Sequence, residues 1–217
     1  MSSVEGKLET EGRKRDSEAT KTAILDAAET LFTEKGFADV SLTQLAKAAG
    51  VTKSLIHHHF GSKENLWSEV KARFFGAFFE GQIRRLLDNQ PSLNLIKESI
   101  ISYFKYLQSR PQFIRMNCWM LLEEDLEGMD MASEVISVGA ASIKAAQEKG
   151  DIRDDIPADY ILISFLSLVE NWFLGHTRWG KTHFNDMSDE EKARLLEHDT
   201  YLDSMLTIFL EGITPKA

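Results

Sequence analysis

The stretch GVTKSLIHHHFGSK, residues 50–63, holds two lysines and three consecutive histidines but no carboxylate, in a chain with a formal net charge of -9. Widened to Val40–Lys63, the window gains a third lysine and still contains no Asp or Glu. The spacing inside it predicts a short helix. Thr52 can cap it, and Val51 can pack against Ile56 across the first turn. With Ile56 and Phe60 turned inward at 100° per residue, Ser54, His57 and His58 fall on the opposite face. Leu55 lies at the flank, and His59 lies nearer the buried side. A phosphate array repels carboxylates, so a helix that faces DNA should exclude them. Imidazoles and the lysines at the helix ends, Lys53 and Lys63, can reach phosphates or base edges.

Just before this helix, Ser41 and Gln44 form a capping box for a helix of about two turns. Leu42, Leu45, Ala46 and Ala49 make its inner face, and Gly50 stops it. A longer first helix opens near Thr20, with Ile24, Ala27, Ala28, Leu31 and Phe32 on one stripe and Lys35-Gly36 as its end. Two short helices joined at a glycine and packed on a longer one are the helix-turn-helix arrangement.

The segment from Thr20 to Val70 resembles the DNA-binding domain of TetR/AcrR-type transcriptional regulators. It shares the LF-x-x-x-G-F end of the first helix, the L-A-x-x-A-G-V-T-K turn, the short helix ending in Phe60 and the S-K-E-N-L start of the fourth helix. The resemblance implies phosphate contacts at Lys21, Ser41 and Lys63 and a DNA contact at Thr43. It implies a recognition helix comprising Thr52, Lys53, Ser54, Leu55, His57, His58 and His59. Aromatic residues are common in the family where 57–59 here are all histidine, and Leu55 replaces a small polar residue. Leu55 could touch a thymine methyl. A metal site is disfavoured because ligands on one helix face need a spacing of three or four, and these histidines are adjacent.

The remainder reads as all-α, giving about nine helices in total. Residues 1–19 are polar and aperiodic and are expected to be a flexible arm. Residues 20–66 form the DNA-binding domain, and 67–217 form a ligand-binding and dimerisation domain. Four prolines and thirteen glycines fall mostly where helices start or stop. Helix eight, from about Pro157 to residue 174, is apolar around nearly its whole circumference. Helix nine, opened by a Ser188–Glu191 capping box and running to about Leu210, also carries more apolar residues than one face needs. Both features predict a homodimer through the last two helices, as the resemblance implies. A two-fold dimer would place its reading helices about 34 Å apart on a palindromic operator in double-stranded DNA.

The resemblance also implies an effector cavity among helices four to seven. Phe75, Phe78, Phe79, Phe104, Phe113, Met116, Trp119, Met120 and Glu123 are the candidate contacts, suited to a small apolar or aromatic molecule. Aromatics at helical spacing are equally what a plain core would contain. Glu123, Glu124, Asp125, Glu127 and Asp130 crowd the end of helix six. The aromatic connection 171–184 is expected to cover the cavity or cross the dimer interface. The alternative to a small-molecule effector is control by a protein partner, or constitutive action.

Enzymatic activity is not expected. The chain has no G-x-S-x-G, P-loop, H-E-x-x-H or C-x-x-C pattern, and Cys118 sits in the apolar run MNCWML. No cofactor is called for. One cysteine and an N-terminus without a signal peptide's apolar core fit a cytoplasmic protein. The apolar run at 160–174 is interrupted by Glu170 and Asn171 and is short for a bilayer, so no membrane is expected. Eight of the nine net negative charges lie in 72–217, which would restrain non-specific DNA binding.

Overall fold

The computed structural model describes the backbone of residues 2–125, 130–182 and 186–215, and the side chains of 16–125, 132–175 and 186–215. The regular elements among these residues are all α-helices. They are α1 (Ser2–Lys35), α2 (Leu42–Ala49), α3 (Lys53–Phe60), α4 (Lys63–Asp88), α5 (Leu93–Ser109), α6 (Gln112–Leu122), α7 (Asp130–Glu148), α8 (Ala158–Thr182), α9 (Asp189–Leu195) and α10 (His198–Ile213). None is long and apolar enough to cross a membrane.

Three boundaries differ from the sequence expectation. Helix α1 begins at Ser2, so residues 2–19 continue the helix instead of forming an arm without regular structure. That segment has no proline and is rich in Glu, Lys and Arg, which favour helix even without a buried stripe. Helix α8 runs on to Thr182, so 171–182 is helix and not a connection. Residues 183–185, Glu127, and the side chains of 176–182 and Asp130 lie outside the described residues, and the expected roles of 171–184 fall largely there. The last predicted helix is two. Glu197 interrupts it and caps α10, its carboxylate accepting from the Asp199 and Thr200 amides.

The chain divides into two compact units. Unit 1 contains residues 1–75 and 115–128, and unit 2 contains 76–114 and 129–217. Helices α4 and α6 each contribute to both. Unit 1 is therefore larger than the 20–66 segment. It takes in the first half of α4 and a second segment from the far half of α6.

In unit 1, Ile24, Ala28 and Phe32 of α1 are fully buried, together with Leu45, Ile56, Phe60, Leu66 and Trp67 from the next three helices. Phe32 meets Trp67 edge to face, with ring centroids 5.0 Å apart. Unit 2 is organised around Ile100, Phe104, Leu107, Ile143, Ile161 and Val169. Trp172 stacks on Tyr201 at 4.0 Å. Arg153, in the loop before α8, donates its amide to Ile213 O and its guanidinium to Gly212 O, which ties down the end of α10.

The two last long helices differ in what they leave uncovered. Helix α8 exposes Tyr160, Ile163, Leu168 and Leu174 along one side. Helix α10 buries Leu202, Met205, Leu206 and Phe209 within unit 2, and Ile208 is its one exposed large apolar residue. The excess of apolar residues read for α10 is thus largely absorbed by the chain itself.

Candidate nucleic-acid interface

The reading face is built locally. Ser41 accepts from the Gln44 amide at 3.3 Å, and the Gln44 side chain accepts from the Ser41 amide at 2.8 Å, closing the predicted capping box of α2. Gly50 ends α2 in the left-handed region (φ 67°). Thr52 then caps α3, its hydroxyl accepting from the Leu55 amide at 3.3 Å. Ile56 and Phe60 are buried at 1% and 4% exposure. Lys53, Ser54, Leu55, His57 and His58 are exposed on the other side, and His59 is half-buried. The structure therefore brings together the predicted recognition residues of α3, with Thr43 exposed on α2.

The expected phosphate contacts already have partners. The Lys21 ammonium lies 2.7 Å from the Glu69 carboxylate, with both side chains partly exposed. Lys63 donates to Ala38 O at 3.5 Å and sits 4.2 Å from the centre of the Phe37 ring. Burial lowers the Lys63 pKa, while Glu64, Glu123 and Asp39 oppose that shift. Its neighbourhood is thus less free of carboxylates in space than in sequence. The Ser41 hydroxyl is also engaged, donating to Gln44 Oε1 at 2.8 Å.

His57 has an unforeseen contact. Its Nδ1 lies 2.9 Å from the carbonyl oxygen of Gly61, four residues on.

The candidate effector residues are divided between the two units. Phe78, Phe79, Phe104 and Phe113 lie in unit 2. There Phe78 stacks on Tyr106 at 3.9 Å, and Phe113 meets Tyr103, Tyr106 and Phe79 edge to face. Phe104 packs instead with Phe173 and Tyr201. The buried Tyr103 hydroxyl donates to Glu170 at 2.6 Å, and desolvation, followed by that carboxylate, pushes its pKa well up.

Phe75, Met116, Trp119, Met120 and Glu123 lie in unit 1. Trp119 Nε1 donates to Thr33 O at 3.1 Å, and Arg115 donates to Thr33 O and Glu34 O at 3.3 and 3.2 Å. The last carbonyls of α1, which have no partner inside their own helix, are thereby satisfied. Glu123 accepts from the Ala38 amide at 3.1 Å. The Ala38 backbone is thus held by Glu123 at its amide and by Lys63 at its carbonyl. Gly36 makes this fit possible. It has φ 79°, and a Cβ there would stand 2.7 Å from Glu123 Oε1 and 2.8 Å from the Trp119 ring.

Beyond α6, Glu124 takes a left-handed conformation (φ 54°) without being glycine. The Asp125 amide bonds Met120 O and the Glu124 amide bonds Leu121 O, which completes a Schellman ending. That turn delivers Asp125 to the Trp67 indole and to the Lys71 ammonium, the latter at 2.8 Å. Spacing along the sequence gave no signal for any of these contacts.

Comparison with known proteins agrees with this geometry. A family model described as bacterial regulatory proteins, tetR family, matches residues 24–70, and one described as tetracyclin repressor-like, C-terminal domain, matches 100–198. The transcriptional repressor NicS of Pseudomonas putida is 25% identical over 162 residues, covering 72% of this chain and 76% of that protein. The transcriptional regulator RutR of Escherichia coli K12 is 25% identical over 222 residues, covering 98% of this chain and 100% of that protein. Two solved structures share the fold. The ketosteroid transcriptional regulator KstR2 of Mycobacterium tuberculosis has a TM-score of 0.66 at 17% identity, covering 90% of this chain and 95% of that one. NalD, the secondary repressor of the MexAB-OprM multidrug efflux pump in Pseudomonas aeruginosa, has a TM-score of 0.64 at 22% identity, covering 94% and 100%. With a helix-turn-helix head matched by one model and much of the remaining chain by the other, this chain is a transcriptional regulator and belongs to the TetR family.

Proposed function

We propose that the protein is a repressor that binds a palindromic operator as a homodimer and is controlled by a small, largely apolar or aromatic molecule. The observation that carries the DNA half of this reading is the exposed polar face of α3. It stands on buried Ile56 and Phe60, within a window from Val40 to Lys63 that contains no carboxylate. Lys53 and His58 are exposed beside His57 on that helix, where they can meet a phosphate or base edge. Lys21 and Lys63 reach phosphates by exchanging a partner they already hold. The exposed apolar side of α8 supports pairing of two copies, with α10 contributing through Ile208. Such a protein works in the cytoplasm, where bacterial DNA is accessible.

The effector reading rests on the aromatic cluster in unit 2. Phe78, Phe79 and Phe113 group with Tyr103 and Tyr106, and the Tyr103–Glu170 pair supplies a polar group among them. Phe104 lies in the neighbouring cluster. Met116, Trp119 and Glu123 have partners within unit 1, so we assign them to holding the head and not to the effector. Helix α4 passes from unit 1 to unit 2 at Gly76, so a shift of this helix would couple effector and operator binding, reciprocally.

Selection of bound fragments from genomic DNA followed by footprinting tests the first half. Two protected half-sites about 34 Å apart, one per subunit, are expected. A monomer, or a chain that retains no duplex at low salt, overturns it. A thermal-shift screen of apolar compounds tests the second half. A compound that raises the melting temperature must also change operator affinity, and binding without such a change rejects effector control.

A further inference from the structure

We propose that His57 takes part in operator recognition as a hydrogen-bond acceptor, offering Nε2 to the exocyclic amine of an adenine or a cytosine in the major groove. This rests on the DNA-binding reading above and deepens it. The Gly61 carbonyl oxygen has lone pairs and no hydrogen, so the His57 Nδ1 that lies 2.9 Å away must be the donor. An imidazole carrying one proton carries it there, and Nε2 is then a bare lone pair. The hydrogen bond fixes the tautomer and also holds the ring against the end of its own helix, since the Gly61 amide donates back to His57 O at 2.9 Å. His57 is exposed, and among the described residues its Nε2 has no hydrogen-bond partner.

The consequence is a choice of target. Phosphate oxygens only accept, so a neutral His57 held in this way has nothing to give them. In the major groove the amine hydrogens of adenine N6 and cytosine N4 are donors, whereas guanine N7 and O6 and thymine O4 are acceptors. Contact with the latter groups, or with phosphate, would need a second proton on the ring. On α3, on α2 packed against it and at the start of α4, the charged and titratable residues are Lys47, Lys53, His58, His59, Lys63 and Glu64, and the carboxylates of Asp39 and Glu123 act on Lys63 from the neighbouring segments. On α1, Lys21 is already matched by Glu69.

The test uses the full-length protein and the operator found by fragment selection. Each adenine of a half-site is replaced in turn by an analogue lacking the 6-amino group, and each cytosine by one lacking the 4-amino group. Binding is then measured by fluorescence anisotropy. One position is expected at which the wild type loses roughly threefold to tenfold in affinity, the worth of one hydrogen bond. His57→Ala, which loses the bond in both half-sites, should lose roughly tenfold to a hundredfold on the natural operator and nothing further when the analogue is placed in a half-site. His57→Gln, whose amide oxygen can accept, should recover part of the loss. Unchanged melting temperatures would show that both variants fold. If every amine removal weakens wild type and His57→Ala equally, the proposal is overturned. It is also overturned if wild-type binding tightens between pH 8 and pH 6 while that of His57→Ala does not, since His57 would then be donating. A wild type that retains no duplex at all would sink the DNA-binding reading itself, which is a different result from loss of the amine effect alone.

Discussion

Two sides of unit 1 use similar residue types in opposite states. On the exposed face of α3, Lys53, Ser54 and His58 stand in solvent. Along the seam made by residues 115–125, Arg115, Trp119, Glu123 and Asp125 are each joined to a backbone or side-chain group of α1, the following turn or α4. The contrast separates residues that touch a partner from residues that hold the touching surface in place. Loss of the first kind should change affinity without stability. Loss of the second should change stability first.

The strongest way to break the contrast is Asp125→Ala. It removes the carboxylate shared by Trp67 and by Lys71, whose side chain is only 3% exposed. Depriving a buried ammonium of this partner should cost about 3 kcal/mol, which thermal denaturation would register as a fall of about 6–12 °C. Gly36→Ala comes next. It forces a side chain into a left-handed position already crowded by Trp119 and Glu123, and about 2 kcal/mol of destabilisation is expected. If either variant melts like the wild type while losing DNA, the seam acts as contact surface and the distinction is wrong.

On the front face, Lys53→Ala should lower operator affinity roughly threefold to tenfold per subunit and reduce the salt slope of the dimer by about 2, one phosphate for each copy. Its melting temperature should stay unchanged, and a substantial drop would merge the two classes. The smallest effect sharpens the picture from the other direction. Glu124→Gly relieves a left-handed position that glycine prefers, so chemical denaturation should find the variant more stable by about 0.5–1 kcal/mol.

The reading head was legible in the sequence because its signals are local. The Ser41–Gln44 box, the Gly50 stop and the Thr52 cap each act across five residues or fewer, and the buried pair Ile56 and Phe60 follows from helical spacing. The seam was not legible because its partners are far apart. Trp119 meets the carbonyl of Thr33 across 86 positions, and Glu123 meets the amide of Ala38 across 85. Periodicity shows which side of a helix is turned inward but not what lies opposite, so it gave no sign that Trp119 and Glu123 meet the end of α1 and the turn after it. The turn at Glu124 escaped for a related reason, since no glycine marks it. On α10, composition overstated the uncovered surface because it cannot count the neighbours that Tyr201 and Phe209 find within the same unit.

The position of Trp119 gives the molecule a built-in optical gauge. Of its four tryptophans, Trp67 and Trp119 both belong to unit 1, and each indole N–H is held by a group within it. With Trp172 and Trp179 exchanged for phenylalanine, ultraviolet emission would arise from this one region. A red shift on adding operator or a candidate regulatory compound would then report loosening of the grip on the end of α1, without any attached dye.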